Sequence, residues 1–542
     1  MNGTFNIPAP HNEPVLNYAP GSAEREQLKD ALRTLGSEVA DIPVVVGGEE
    51  IRGAKTMPVV SPHRHQQVLA KVHQADRKAV QAAITAAVEA QREWASWRFE
   101  DRAAVFLKAA DRLAGAWRPV INAATMLGQS KTAFQAEIDS ACELIDFLRF
   151  NVHFAEKLYH EQPISSPGMW NRMEHRPLEG FVYAITPFNF TAIGGNLPTT
   201  PAIMGNTVVW KPASSASLSN WHFFRLLQEC GLPPGVINFV PGPAAEISDL
   251  LLSHPSLAGI HFTGSTAVFQ SLWQTVGNNL PNYRSYPRLV GETGGKDFVV
   301  AHPSADAKAL AVALVRGAYE YQGQKCSAAS RAYIPRSLWP AVKRDMLEMI
   351  ASIRMGDVAD FTNFMGAVID ARAYTKLSGY LKAAKRDDNA TIHAGGGFDD
   401  AEGWFIEPTV IETRDPGHKL LCEELFGPVL TVYVYPDRKW SDTLELVDQT
   451  SPYALTGAVF AQDRAALAQA SRVLVNAAGN FYLNDKPTGA VVGQQPFGGA
   501  RASGTNDKAG SILNLIRWVS PRSIKETFSP PTDYRYPFMG AE

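Results

Sequence analysis

The chain has 542 residues, of which 51 are Lys or Arg and 54 are Asp or Glu, giving a formal net charge of −3. This balance excludes the strongly basic surface of a nucleic-acid-binding protein, and 45% hydrophobic residues is an ordinary content for a globular protein. The length is too great for one core and predicts two or three domains.

The first roughly 45 residues are rich in Pro and Asn and predict an extended arm. From Asp76 the apolar spacing becomes helical, since Val80, Ile84, Ala87 and Val88 fall on one face. Two further helices are predicted, one from Asp101 to the residue before Pro119 and one over 133–158.

From residue 181 short β-branched runs alternate with helical patterns, such as the helix predicted over 218–230. The runs cover 181–186, 207–211, 236–240 and 259–263, and each interval between their starts has room for one strand, one helix and the loops between them. This spacing is typical of βαβ units and predicts a parallel sheet. The region has no G-x-G-x-x-G string, but a strand that ends in Gly264-Ser265 before a helix presents backbone N–H groups to a pyrophosphate.

A second α/β block is predicted from about residue 292. Its apolar strands cover 298–301, 332–334, 429–435 and 457–460. The three glycines at 395–397 predict a turn rather than a phosphate loop, because no Lys-Ser/Thr and no helix cap follow. The absence of repeats and low-complexity linkers predicts interwoven domains.

Four cysteines occur, with no C-x-x-C pair and no histidine spacing typical of zinc: Cys142, Cys230, Cys326 and Cys422. This predicts a reducing compartment and no structural metal. The segment 1–24 contains no Lys or Arg and no apolar run, and no apolar stretch of the chain is long enough to cross a bilayer. We therefore expect a cytoplasmic protein without a membrane span.

The most informative pair of residues is Cys326, in a short glycine-bearing turn, and Glu292, which stands upstream of it before a Gly-Gly turn. A thiol that forms a covalent bond and a carboxyl that activates water are what a thioester mechanism requires. Alone, each is more often structural, because a lone buried Cys is usually a small hydrophobic residue.

Six strings then identify a resemblance. They are TPFNF at 186–190, WKP at 210–212, FTGS at 262–265, GETGGK at 291–296, GQKCS at 323–327 and EELFGPV at 423–429. Their order resembles that of the aldehyde dehydrogenase superfamily. GNFYLNDK at 479–486 and GQQPFGGARASGT at 493–505 resemble its pyrroline-5-carboxylate dehydrogenase branch, and the resemblance runs from about residue 13 to about residue 527.

The resemblance implies an α/β fold of the aldehyde dehydrogenase type, with a Rossmann-type NAD-binding domain, an α/β catalytic domain and a small oligomerisation hairpin. The implied divisions are an N-terminal arm and helices of the NAD-binding domain (1–165), the oligomerisation hairpin (166–180), the NAD-binding domain (181–291), the catalytic domain (292–514) and a C-terminal oligomerisation segment (515–542). The apolar tail at 534–539 also favours a homo-oligomer built on a dimer.

The resemblance implies the catalytic roles as well. Cys326 is the nucleophile, Glu292 activates the hydrolytic water, and the Asn189 amide with the backbone N–H of Cys326 holds the oxyanion. For NAD, the implied contacts are Thr186, Lys211, Ser214, Gly264, Ser265, Thr266, Ala267, Val268, Glu424 and Phe426. Ser214 stands where many NAD-selective members carry an acidic residue, so NADP stays open.

For the substrate, the resemblance implies that Ser327 and the backbone N–H groups of Gly489 and Ala490 hold a carboxylate. Phe190 and Phe497 would sandwich the aliphatic stem, and Glu143 would accept from an ammonium group. These six residues are therefore expected to bind an amino-acid semialdehyde. The resemblance implies no metal.

The implied function is NAD-dependent oxidation of L-glutamate γ-semialdehyde, from 1-pyrroline-5-carboxylate, to L-glutamate through a cysteine thioester, the second step of proline degradation. The implied partners are a second copy of the chain and a transient contact with proline dehydrogenase. The alternatives are another semialdehyde dehydrogenase, a CoA-acylating dehydrogenase that does not need Glu292 as a base, or a non-catalytic scaffold.

Overall fold

The computed structural model describes residues 6–542. Up to residue 292 its elements are α1 (Ala23–Ser37), β1 (Ala40–Ile42), β2 (Val44–Val46), β3 (Glu49–Ile51), β4 (Thr56–Ser61), β5 (Arg64–His73), α2 (Arg77–Ser96), α3 (Phe99–Ala114), α4 (Arg118–Gln129), α5 (Ala133–Ala136), a π-helix (Glu137–Glu143), α6 (Leu144–His160), β6 (Met169–Pro177), β7 (Phe181–Ile185), α7 (Thr191–Ile203), β8 (Thr207–Lys211), α8 (Ser217–Glu229), β9 (Ile237–Phe239), α9 (Ala244–Ser253), β10 (Leu257–Thr263), α10 (Thr266–Asn278) and β11 (Arg288–Glu292).

The elements after residue 292 are β12 (Asp297–Ala301), α11 (Ala307–Tyr319), β13 (Ala329–Pro335), α12 (Trp339–Ser352), α13 (Ala371–Ala384), β14 (Ala390–Ala394), β15 (Phe398–Asp399), β16 (Phe405–Ile406), β17 (Thr409–Thr413), α14 (Lys419–Cys422), β18 (Val429–Tyr435), α15 (Trp440–Gln449), β19 (Tyr453–Ala454), β20 (Thr456–Phe460), α16 (Arg464–Val473), β21 (Asn480–Leu483), β22 (Ala500–Arg501), α17 (Ile512–Leu515) and β23 (Val519–Thr527).

The first large sheet has the strand order β11-β10-β7-β8-β9-β2-β3. Its strands from β11 to β9 are parallel, as the regular spacing of the apolar runs predicts. Strand β7 shows why the sheet is covered on both faces. Phe181 and Tyr183 pack into one core with α2, α9 and α10, whereas Val182 and Ala184 pack into another with α3, α6, α7 and α8. Successive side chains of a strand point to opposite faces, so an entirely apolar strand needs cover on both.

The second large sheet has the order β14-β17-β18-β13-β12-β20-β21, and its strands are parallel except for β14. Its interior strand β12 follows the same rule. Phe298 and Val300 contribute to the core that contains α15 and α16, and Val299 and Ala301 to the core that contains α11 and α12. The predicted second α/β block is therefore confirmed, and the glycines at 395–397 form the loop between β14 and β15.

The prediction of an extended N-terminal arm is wrong for residues 23–37, which form α1. The Ser22 side chain caps this helix by accepting a hydrogen bond from the Arg25 N–H, and Leu28 and Leu32 are buried one turn apart. Residues 7–18 form neither helix nor strand, and they lie against α4 and α6. Residues 1–5 of the predicted arm lie outside the described residues.

The segment predicted as a hairpin, 166–180, contains one strand rather than two. Strand β6 pairs antiparallel along its whole length with β23, which lies near the other end of the sequence, so that Pro177 faces Val519 and Met169 faces Thr527. The segment 166–180 contains only one of the two strands of this β6–β23 ribbon, so its own sequence does not reveal the partner strand. Over residues 6–542, no helix is long and apolar enough to cross a membrane.

Candidate active site

Cys326 follows a tight turn in which three consecutive residues have left-handed backbone angles. Tyr321, Gln322 and Gly323 have φ of 52°, 54° and 66°. Such angles cost about 1–2 kcal/mol for a residue other than glycine, so the surrounding structure must hold them. A Cβ at Gly323 would clash with the Gly427 carbonyl, which explains the glycine. The turn carries stored strain directly before the nucleophile.

The turn is held by two glutamine side chains. Gln322 donates to the carbonyls of Ser130 at 3.0 Å and Ala367 at 2.8 Å, and Gln324 accepts from the Ile369 N–H at 2.9 Å. Both glutamines are buried. Gln322 and Gln324 therefore fix the turn before the nucleophile through buried hydrogen bonds, a role that the sequence analysis did not assign.

Asn189 lies beside this turn, where the loop after β7 leads into α7. Its buried Nδ2 donates to the Gln324 carbonyl at 3.1 Å. A side-chain amide has two N–H donors, so this bond orients the group and leaves one donor available. Burial raises the pKa of the Cys326 thiol well above its ordinary value, and the nearby Glu292 carboxylate raises it further. The resting thiol is protonated and needs a base before it attacks a carbonyl.

Glu292 is the last residue of β11, and burial raises the pKa of its carboxyl to about 8, opposed by Lys508 and assisted by Asp507. Together with Lys508 and Phe497 it lines a cavity of about 40 Å³. This cavity is large enough to admit a water molecule. A carboxyl with this pKa exchanges protons near neutral pH, which suits a general base.

Eight of the ten predicted cofactor residues lie at the carboxyl edge of the first sheet, and Glu424 and Phe426 lie before β18 of the second sheet. Strand β10 ends at Thr263, and Ser265 caps α10 by accepting from the Val268 N–H at 3.4 Å. The first N–H groups of α10, at Thr266 and Ala267, have no partner within the helix and suit a phosphate. The site fits a dinucleotide pyrophosphate on this geometry.

The neighbouring strands add side chains to the same edge. The Thr186 hydroxyl accepts from the Trp210 indole at 3.1 Å. The backbone N–H of Thr186 donates to the Lys211 carbonyl at 3.2 Å. Lys211 ends β8, and burial lowers the pKa of its ammonium to about 8. Ser214 starts a short 3₁₀ turn (Ser214–Ala216) just beyond it. Strand ends adjacent in a parallel sheet form the crevice in which such folds bind ligands.

Glu424 connects the second sheet to the Gly-Gly turn after Glu292. Its carboxylate accepts from the Gly295 N–H at 2.9 Å, and a Cβ at Gly294 would clash with it. Burial raises the pKa of Glu424. Phe426 has φ of 60° and its ring stands edge-on to Phe188 at 5.7 Å between centroids. The two predicted nicotinamide-side residues therefore face the turns that carry the catalytic candidates.

The six predicted substrate residues lie around one cavity of about 910 Å³, and Cys326 lies on its wall. They are Ser327, Gly489, Ala490, Phe190, Phe497 and Glu143. Glu143 ends the π-helix, a rare geometry that is frequent at functional sites. Burial raises the pKa of Glu143 well above its ordinary value, and Asp139 raises it further. An ammonium group beside it would favour its ionised form.

Sequence reasoning missed a buried ion pair that supports this cavity. Lys131 and Asp139 are 2.6 Å apart, and the Lys131 ammonium lies 4.0 Å from the Phe190 ring centroid. Asp139 also accepts from the Ala192 N–H at 2.8 Å at the start of α7. A lysine in a polar context such as Ser-Lys-Thr resembles a surface residue, so the sequence carries no signal for this pair. Among residues 6–542, no group of three His, Cys, Asp or Glu side chains is arranged to hold a metal ion.

Comparisons with known proteins agree with this geometry. The Aldehyde dehydrogenase family model matches residues 50–520. The chain is 52% identical over 537 residues to "Delta-1-pyrroline-5-carboxylate dehydrogenase, mitochondrial" of Dictyostelium discoideum, covering 98% of this chain and 96% of that protein. It is also similar to the crystal structure of the Delta-pyrroline-5-carboxylate dehydrogenase from Mycobacterium tuberculosis bound with NAD, with a TM-score of 0.97, 55% identity and full coverage of both chains.

A more distant solved structure is proline utilization A (PutA) from Bdellovibrio bacteriovorus, with a TM-score of 0.91 and 30% identity over 96% of this chain and 54% of that one. Together with the βαβ sheet, the Cys326 turn and the Glu292 site, these matches define the class of protein. The chain belongs to the aldehyde dehydrogenase family. Within that family, the two full-length matches above are both pyrroline-5-carboxylate dehydrogenases.

Proposed function

We propose that the chain oxidises L-glutamate γ-semialdehyde, the open form of 1-pyrroline-5-carboxylate, to L-glutamate with NAD, as the second step of proline degradation. The observation that carries this proposal is the shared cavity, in which Cys326 and the six candidate substrate residues meet. Full-length similarity to pyrroline-5-carboxylate dehydrogenases, one of them bound with NAD, supports the same substrate and cofactor.

The first chemical step is attack by Cys326 on the aldehyde carbon. The Cys326 thiol, whose pKa is raised by burial, releases its proton to water in the cavity on whose wall it lies, and Glu292 is assigned to the later hydrolysis. The sulfur–carbon bond forms as the carbonyl π bond breaks, so negative charge collects on oxygen. The free donor of Asn189 Nδ2 and the Cys326 N–H then stabilise that oxyanion in the thiohemiacetal.

NAD, when bound, supplies the acceptor for the hydride that leaves the thiohemiacetal carbon. Lys211 and the N-terminus of α10 would hold its ribose and phosphates, and Glu424 with Phe426 its nicotinamide end. The resulting thioester is hydrolysed when Glu292 takes a proton from water in the cavity that it lines. The hydroxide adds to the acyl carbon, the carbon–sulfur bond breaks, and glutamate leaves.

The proposal is tested by a substrate panel with the purified chain, measured by the absorbance of the reduced cofactor. Glutamate semialdehyde should be oxidised with NAD, without added CoA, and more efficiently than propanal. Parallel assays with NADP test whether Ser214 relaxes cofactor choice. Equal efficiency on both aldehydes would contradict the proposed substrate, and a requirement for CoA would contradict hydrolysis by Glu292.

We also propose a homo-oligomer built on a dimer, because the exposed aromatic residues of the tail, including Tyr534, Tyr536 and Phe538, lack cover from their own chain. A monomeric mass by light scattering at micromolar concentration would contradict it. A cytoplasmic location and a transient contact with proline dehydrogenase belong to the same proposal. The Dictyostelium relative is named mitochondrial, so cell fractionation is the appropriate test of location.

A further inference from the structure

Selectivity for a carboxylated aldehyde depends, in the proposed function, on the N–H groups of Gly489 and Ala490. Both lie in the loop 484–499 between β21 and β22, which we call the anchor loop. A loop backbone lacks the regular ladder of a sheet, so its amides are fixed by turns and by contacts with neighbouring elements. Inside the loop, Val491 accepts from the N–H groups of Gln494 and Gln495, both at 3.0 Å.

A contact from the other end of the sequence holds the same loop. The Asn12 side chain donates to the Val492 carbonyl at 2.8 Å and to the Asp146 carboxylate at 2.8 Å, and it accepts from Gln494 Nε2 at 2.9 Å. The two N–H donors of this amide are thus both used, and so is its oxygen. One side chain therefore connects the anchor loop to α6, although Asn12 lies 480 residues before Val492 in the sequence.

The N-terminal segment is itself fixed where it makes this connection. The Glu13 N–H donates to the other oxygen of Asp146 at 2.8 Å, and the Glu13 carboxylate pairs with Arg118 of α4 at 2.6 Å and Arg149 of α6 at 2.7 Å. Charge-assisted bonds that are largely shielded from water are stronger than exposed ones. Asn12 is consequently placed against α6 independently of the anchor loop.

Asn12 and Glu13 also line the cavity that contains Cys326, Gly489 and Ala490. From this geometry we infer that Asn12 is a positioning residue, which fixes the carboxylate-binding amides of the anchor loop relative to α6 and so sets the preference for a carboxylated aldehyde. The inference rests on the proposed function, because it assumes that these amides bind the substrate carboxylate.

The test compares Asn12→Ala with the unmodified enzyme on glutamate semialdehyde and on propanal. The variant should raise the KM for glutamate semialdehyde roughly three- to tenfold, the scale of one lost hydrogen bond. Its kcat and its efficiency on propanal should be unchanged, because Asn12 touches neither Cys326 nor Glu292. The preference for the carboxylated aldehyde should therefore fall by the same factor.

Asn17→Ala is the matched control. Asn17 is an asparagine of the same segment and lines the same cavity, but its side-chain oxygen accepts from the Ala19 N–H at 3.0 Å, a local and exposed bond. It should leave the preference unchanged. Gln494→Ala removes one of the Asn12 bonds from the loop side, and it should lower the preference in the same direction by a smaller factor.

The outcomes separate the inference from the function on which it rests. If the unmodified enzyme prefers glutamate semialdehyde and neither Asn12→Ala nor Gln494→Ala lowers that preference, the inference is overturned while the proposed function stands. A loss of equal size on both aldehydes would assign Asn12 a general structural role and would also overturn it. If the unmodified enzyme shows no preference, the proposed function fails and the inference fails with it. Should Asn12→Ala not fold, Gln494→Ala decides.

Discussion

The cofactor side and the substrate side of the site are built in different ways. On the cofactor side, most of the candidate groups lie at the ends of three adjacent parallel strands, β10, β7 and β8, and many of them are backbone groups. On the substrate side, side chains from a π-helix, a strained turn, the anchor loop and the N-terminal segment meet around one cavity. A sheet edge tolerates side-chain changes, whereas the cavity depends on a set of buried polar contacts.

This contrast predicts that substitutions on the substrate side have the larger effects, and Cys326→Ala should have the largest. Loss of the nucleophile removes the only covalent route, so oxidation should fall by at least roughly 10³-fold. NAD binding, measured by fluorescence titration, should persist, because the cofactor side is built on other elements. Cys422→Ala, in α14, is the control and should remain active. Substantial turnover by Cys326→Ala would rule this residue out.

Asn189→Ala should have the next largest effect. It removes an oxyanion donor and also the bond to the Gln324 carbonyl that orients the Cys326 turn. Removal of one such donor typically lowers kcat by about 10²–10³-fold. Steady-state assays measure this effect, and a thermal melt shows whether the fold is retained. A loss below about tenfold in a folded variant would place the oxyanion elsewhere.

Ala490→Pro should have an intermediate effect that is specific to the substrate carboxylate. Proline removes one N–H from the anchor loop, and an unpaired partner costs about 1–3 kcal/mol. The KM for glutamate semialdehyde should therefore rise about tenfold or more, with a much smaller change for propanal. Ala490→Ser keeps the N–H and is the control. An equal rise for both aldehydes would indicate general distortion of the loop.

Lys211→Met should have the smallest effect, because the N-terminus of α10 still offers backbone donors to the phosphates. We expect the NAD dissociation constant to rise by about three- to tenfold, as for the loss of one ordinary hydrogen bond. The KM for the aldehyde should not change. A shift in the aldehyde KM without a shift in NAD affinity would contradict the separation of the two sides.

The same contrast explains what the sequence predicted. Strand spacing and apolar runs were sufficient for the parallel strands β7 to β10 and for the start of a helix after Ser265, because these depend on local periodicity. The resemblance supplied the substrate residues, which the structure brings to one cavity. Their catalytic and binding roles stay predictions until the variants above are measured.

The elements that the sequence did not predict depend on distant partners. The β6–β23 ribbon joins residues 169–177 to 519–527, and Asn12 contacts a loop 480 residues away. The pair of Lys131 and Asp139 is buried by tertiary packing, and no local pattern distinguishes it from surface charge. Helix α1 was not predicted, because the Pro- and Asn-rich composition before it was taken to describe all of the first 45 residues. The spacing of Leu28 and Leu32 is helical and was a signal for this helix.

The central claim is that Cys326 forms a thioester, which water activated by Glu292 hydrolyses. Because the carboxylate is the active base and burial raises its pKa to about 8, the steady-state rate of the unmodified enzyme should rise with pH through about 8. Glu292→Gln removes this base but keeps the shape of the side chain. It should therefore lose that pH limb and accumulate the acyl-enzyme.

The most direct measurement is rapid acid quench of Glu292→Gln mixed with NAD and glutamate semialdehyde, followed by mass spectrometry of the peptide that contains Cys326. The account predicts a burst of about one NADH per site and a glutamyl adduct on this cysteine, with slow turnover afterwards. Loss of the burst would show that Glu292 is needed before hydride transfer. A burst with the adduct on another residue would contradict the assignment of Cys326.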